Sequence, residues 1–301
     1  MGRVLQAGDI AGEAVLLASA GRAILMQIAL PPVGAGVASH SDFAHRPLSR
    51  LTATLTYSYA TVLGHDADRA AVRRLVNRAH APVRSGGRVA PVAVDAGDHL
   101  PAQPVETGDS NLSPADPVGP DDAIAYSAFD PDLQLWVAVT LYDSAVAVYE
   151  SIFGPLDEAS AEAVLAGFAP LGTVLQVPPG RWPASLAAYR EYRDHVVAQL
   201  DVTPPARRVA HDVLHPTTPP YLRLAGPLIR LLTAGYLGPG LREAYGLPWD
   251  DRRQRRFDRL IGGLRVVYPR LPRRLRWWPC RRYLNQLRRS ESAAAGERPE
   301  R

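Results

Sequence analysis

Asp130-Pro131 and Gly154 bracket the run DPDLQLWVAVTLYDSAVAVYESIFG, and that run limits the possible folds more than any other stretch of the chain. An aspartate cap followed by proline at the first helical position starts a helix, and glycine ends one. Leu133, Trp136, Val137, Thr140, Leu141, Ser144, Ala147 and Val148 follow the helical period, which predicts one long helix over residues 130 to 154. Asp143 lies within it. An acid at that place either holds a buried arginine, such as Arg22 or Arg50, or points to water. The chain has no strand alternation of useful length and no internal repeat, so the expected fold class is all-α, a multi-helix globular bundle.

Other stretches extend this pattern. Residues 11 to 29 predict a helix with little polar face, central and packed on several sides, in which Arg22 needs an acid or a bound anion. Pro31 and Pro32 suit a second helix start, and Gly34 and Gly36 permit close packing towards His40. Residues 47 to 63 run from a proline to the residue before Gly64, the ordinary bounds of a helix. Leu48, Leu51, Leu55 and Val62 make its core stripe, and Arg50, Thr54, Tyr57 and Thr61 make a polar one. On an exposed helix the polar stripe is solvated; facing a cavity it offers a cation and three hydroxyls.

In DADRAAVRRLVNRAHAPVR, residues 66 to 84, the positions Val72, Leu75, Val76, Ala79 and Val83 predict one buried stripe. His80 lies beside it, with Arg84 one turn further on the same side. Such a pair is either a metal or haem ligand beside an anion-binding arginine, or a core histidine bonded to a carbonyl, the commoner fate of buried polar groups.

Residues 85 to 124 are rich in Gly, Pro, Asp and Ser without a sustained period, and predict a disordered insertion. Residues 158 to 175 and 182 to 200 predict two amphipathic helices. The sequence then divides into 1–10 as a lead, 11–250 as a helical domain, 251–289 as basic helices packing on that domain, and 290–301 as a disordered tail. All 34 basic residues are arginine, and 16 of them, against 5 acids, fall in 251–301. Interleaved with Trp277, Trp278 and Tyr283, these arginines either bind nucleic acid or anionic lipid, or pair with the acidic body while the aromatics fold back.

With Cys280 as the single cysteine, a disulfide framework and multi-cysteine metal sites are excluded. The absence of lysine excludes Schiff-base chemistry and the lysine of a phosphate loop. There is no glycine-rich phosphate loop, nucleophile elbow, His-Glu-x-x-His or dinucleotide fingerprint. The start lacks a basic run followed by an unbroken apolar stretch, and the apolar window Ala14 to Val37 is interrupted by Arg22, Gln27 and Pro31-Pro32, so a soluble, cytoplasmic protein is expected.

GRAILMQIALPPVGAGVASHS, RLTAT, HAPVR and YSAFDPDLQLWVAVTLYDS, in this order, resemble the MpaB-type oxygenase family, whose catalytic domain is shared with the rubber oxygenases called latex-clearing proteins. The resemblance covers about residues 11 to 200, and the Arg-rich end with RWWP is similar to that of bacterial relatives. It implies a haem b held between helices, with dioxygen as co-substrate and a hydrophobic, isoprenoid- or lipid-like substrate. His80, from the family's His-Ala-x-x-Arg motif, is then the axial iron ligand, its other ring nitrogen fixed by an acceptor. Arg84 and Arg22 are implied to hold the cofactor, and Arg50 and Thr54, from Arg-x-x-Lys/Arg-Thr, to act on the distal side. Ala53 stands where relatives carry Lys or Arg. Leu30 and Ala138 replace histidines and, with Val33, imply a drier pocket. The alternative implied by these departures is a non-catalytic helical descendant that binds haem or lipid. A peripheral membrane contact through the Arg/Trp-rich end is a further expectation, and nucleic acid is not expected as a partner.

Overall fold

The structure, a computed structural model, describes residues 3–40, 47–85 and 124–296. The Gly/Pro-rich insertion expected at 85–124 therefore lies outside the described residues apart from its two ends. Among those described, every extended element is helical and no strand occurs beyond an isolated bridge between Arg84 and Ser127.

The central helix is Pro131–Phe153. The Asp130 carboxylate accepts from the Asp132 amide at 2.8 Å, and Gly154 ends the helix at φ +96°, a backbone angle that a Cβ would strain. Both faces are buried. One side, with Tyr142, Val139 and Tyr149, packs with Leu165, Trp182 and Tyr189. Trp136 instead joins Leu25, Ile28, Val209 and Leu214, and its indole N–H donates to the Met26 carbonyl at 3.2 Å. Ile152 meets Ile261 and Tyr268 in a smaller cluster near the helix end. Each fully buried Leu or Ile contributes ~1.5–3 kcal/mol. Ile10 is one of them, so Ala7 and Ile10, within the stretch 1–10 expected as a lead, belong to the core.

Residues 11–29 do not form one helix. A 3-10 stretch, Ala14–Ser19, leads into the helix Ala20–Ile28. The reason is tertiary: Gly12 lies where a Cβ would be 2.5 Å from the Trp277 ring, and Glu13 is turned inward to meet residues 268 to 277. Gly21 permits a second close approach, since a Cβ there would sit 1.9 Å from the Thr233 hydroxyl on the helix Tyr221–Tyr236. Two further expectations shorten. Pro170 divides 158–175 into Glu158–Gly167 and Pro170–Thr173, and the second amphipathic helix is Leu186–Val197, capped by Ser185.

The arginine-rich end packs on the body as the helices Asp251–Val267 and Trp278–Gly296. Tyr283 stacks on Tyr59, and Arg288 donates to both Asp68 oxygens at 3.0 and 2.8 Å. The last helix continues through residues 290–296, which were expected to be frayed; residues 297–301 lie outside the described set. Among the described residues no single helix is long and apolar enough to cross a membrane. The pair Ala14–Ile28 and Pro31–His40 together has the composition but bends by 108° at its break.

Candidate functional site

Three segments supply most of the wall of a cavity of about 340 Å³, within the ~300–1,000 Å³ range of small-molecule sites. Leu16, Leu17 and Ile24 form one wall, Leu51 and Leu55 of the helix Pro47–Leu63 a second, and Leu222, Ile229 and Leu232 of the helix Tyr221–Tyr236 a third. The lining is overwhelmingly apolar, and its polar groups are few: Arg50, Thr54, Ser58, Gln27 and Thr233 among them. Gln27 is already engaged, donating to the Thr140 hydroxyl at 3.0 Å. Leu30, Val33 and Ala138, expected as pocket walls, do not line it. Ala138 is buried in the main core, and Leu30 and Val33 pack beside Trp136. Ala53, in the place of the expected cation, is exposed on the helix.

The polar stripe of Pro47–Leu63 divides in two. Arg50 and Thr54 face the cavity. Tyr57 is buried and donates to the Leu171 carbonyl at 2.5 Å, while Thr61 donates back to Tyr57 O at 2.8 Å. The first pair therefore lines the cavity and the second is structural. Arg50 is exposed, yet the protein around it lowers its pKa from the ordinary value through burial.

His80 ends the helix Asp66–His80. The inward stripe of that helix is Asp68, Val72, Val76 and His80, at steps of four, whereas Leu75 and Ala79, expected in it, are exposed. The His80 ring meets Phe129 edge-on at 6.3 Å. Its Nδ1 is buried and has no hydrogen-bond partner among the described residues, so the acceptor expected to fix one ring nitrogen is not found there. Burial first, and the nearby Arg50 charge second, lower the His80 pKa from 6.5 and hold the imidazole neutral. Arg50 lines the cavity and its charge acts on His80, which does not line it.

The neutral His80 has a measurable consequence. With the folded pKa lowered, the unfolded chain binds more protons as pH falls past about 6.5, so the stability due to neutral His80 is complete above that pH and is lost below it. His80→Gln is expected to flatten the fall in melting temperature between about pH 7.5 and 5.5. An unchanged slope would contradict the assignment of a buried neutral imidazole.

The other two expected cofactor ligands are not brought to His80. Because the helix stops at His80, Arg84 lies beyond it in an extended bridge and is exposed. Arg22 has internal partners: its guanidinium pairs with Asp143, donates to Ser144 Oγ at 2.7 Å and, through Nε, to Tyr236 O at 2.9 Å. Tyr189 completes this network by donating to Asp143, and burial followed by the Asp143 charge raises its pKa. The sequence reading missed the Leu222–Thr233 wall. Its signal was an amphipathic pattern with nothing to indicate which residues it would oppose.

A haem needs a neutral imidazole with a nitrogen left to ligate and a cation for its carboxylates. By residue type His80 and Arg50 match those two needs, whereas Arg22 is held by Asp143 and Arg84 is exposed. Burial pushes the Cys280 thiol up to about 11, so it offers no thiolate as a competing ligand.

The family model described as "ER-bound oxygenase mpaB/B'/Rubber oxygenase, catalytic domain" matches residues 9–266. Two uncharacterised proteins, one from Mycobacterium bovis and one from Mycobacterium tuberculosis, are each 34% identical over 272 residues, covering 88% of this chain and 93% of theirs. No solved structure matches the chain. The match takes in all three cavity walls, His80 and Arg50, and on its extent the chain belongs to the MpaB and rubber oxygenase catalytic-domain family.

Proposed function

We propose that the protein is a haem b-dependent oxygenase that uses dioxygen on a hydrophobic, isoprenoid- or lipid-like substrate. The observations that support this reading are the buried Nδ1 of a neutral His80, which has no partner among the described residues, and the apolar cavity that Arg50 lines. His80 would be the iron ligand and Arg50 would receive a haem carboxylate. When bound, the cofactor supplies the dioxygen chemistry. The chain's own residues do the rest. The leucine and isoleucine walls would exclude water from the reacting carbon and align an apolar chain, and the Thr54 hydroxyl, one turn after Arg50 in the lining, would orient a polar atom. Leu224 and Leu228, exposed on the same helix as the wall residues Leu222 and Ile229, give that helix an apolar outer face suited to receiving such a substrate. Among compartments, the cytoplasm suits a chain whose one thiol is buried and free.

Turnover tests the reading. Haem-supplied protein is expected to consume dioxygen with isoprenoid or fatty substrates, and Leu55→Trp, which fills the cavity away from His80, is expected to lower the rate about a hundredfold while leaving the absorption spectrum in place. Undiminished turnover in that variant would contradict the cavity assignment. The exposed position of Arg84 favours a second reading, a descendant that binds haem or lipid without turnover. Absence of dioxygen consumption in a haem-loaded protein that retains lipid would select it.

A further inference from the structure

We infer that Val266–Trp278, with the arginines around it, is a docking surface for a lipid bilayer bearing anionic head groups. Five large apolar side chains point outward within this short segment: Val266, Val267, Leu271, Leu275 and Trp278, the last two 61% and 58% exposed. Their neighbours fix them there. Tyr268, Trp277 and Cys280 are turned inward, with Tyr268 and Trp277 both held by Glu13, so the outward set cannot rotate into the core without releasing these anchors.

Along this segment the charge has one sign. No Asp or Glu occurs between Asp258 and Glu291, and Arg270, Arg273, Arg274, Arg281 and Arg282 are exposed beside the apolar side chains. Arg282 lies over the Trp278 ring, 5.6 Å from its centroid, which pairs an aromatic that favours the head-group level with a cation that favours phosphate. Apolar residues among cations gain from a bilayer surface, where the aliphatic parts leave water and each arginine adds attraction to anionic lipid. Nucleic acid would satisfy the charge but leave four aliphatic side chains in water. The family match ends at residue 266, so all of this surface but Val266 lies outside the matched domain, and the inference does not rest on the oxygenase reading.

Co-sedimentation of the full chain with vesicles tests this inference. Binding to equal parts of phosphatidylcholine and phosphatidylglycerol should exceed binding to phosphatidylcholine alone at least about tenfold and should weaken with salt. Leu275→Ser with Trp278→Ser, and separately Arg274→Gln with Arg282→Gln, alter exposed side chains, and each pair should reduce binding about tenfold while the circular dichroism spectrum stays that of the parent. Failure to bind anionic vesicles would overturn the inference. So would vesicle binding unchanged in the serine pair, or duplex DNA bound as tightly as vesicles by parent and serine pair alike, because the apolar half of the surface would then do nothing.

Discussion

Asp143→Ala is expected to lower the stability of the fold by about 3–5 kcal/mol, because it leaves the Arg22 guanidinium buried without a counter-ion. Asp143 is 8% exposed and also accepts from Tyr189, so the substitution removes the acceptor common to a cation and a phenol. The pair lies where the helix Ala20–Ile28 crosses the central helix, and water cannot readily enter to replace the carboxylate. The loss should be mostly a penalty for the charge left behind. Arg22→Met combined with Asp143→Leu is therefore expected to recover most of it, and urea denaturation of the parent and the two variants provides the measurement. A double variant no more stable than Asp143→Ala would mean that the pair itself carries the stability.

A second large effect is expected at Glu13. This side chain is 3% exposed, accepts from Tyr268 at 3.0 Å and Trp277 at 3.0 Å, and pairs with Arg276 at 3.1 Å. Glu13→Ala leaves a phenol, an indole and a guanidinium without their common acceptor, at a cost of about 3–5 kcal/mol. All three donors lie in residues 268 to 277, so the loss should be local before it is global. Limited trypsin digestion should cleave near Arg273 and Arg274 well before the body of the protein is cut, and Glu13→Gln, which keeps a carbonyl acceptor, should be intermediate. Equal protection of that segment in parent and Glu13→Ala would show that the clamp does not hold it.

Which features were legible from sequence follows from where their causes lie. The bounds of Pro131–Phe153 were readable because the Asp130 cap, Pro131 and Gly154 act on the backbone beside them. The same holds for Pro47 and Gly64 around the second cavity wall. The 3-10 stretch after Glu13 was not readable, since what bends the chain there is Trp277 against Gly12 and the donors gathered on Glu13, more than 250 residues away in sequence. In the Asp66–His80 helix the period was right and the face was off by one position, because the Asp68–Arg288 ion pair draws the Asp68, Val72 and Val76 side inward and leaves Leu75 outside. For the site, His80 and Arg50 came from two separate motifs, and their proximity was not legible: the Arg50 charge is one of the causes that lower the His80 pKa. Arg22 and Arg84 were misplaced for different reasons: Asp143 takes the first, and the end of the helix carries the second away. The Ile229 and Leu232 wall was invisible because a leucine stripe does not name its partner.

The central claim is that His80 holds a haem. The most direct test is the absorption spectrum of protein supplied with haem, recorded oxidised and then reduced under carbon monoxide, for the parent and His80→Ala. The account predicts a Soret band in the parent that responds to both treatments and is lost or displaced in the variant. The same band in both proteins, or a folded parent that takes up no haem, would contradict it.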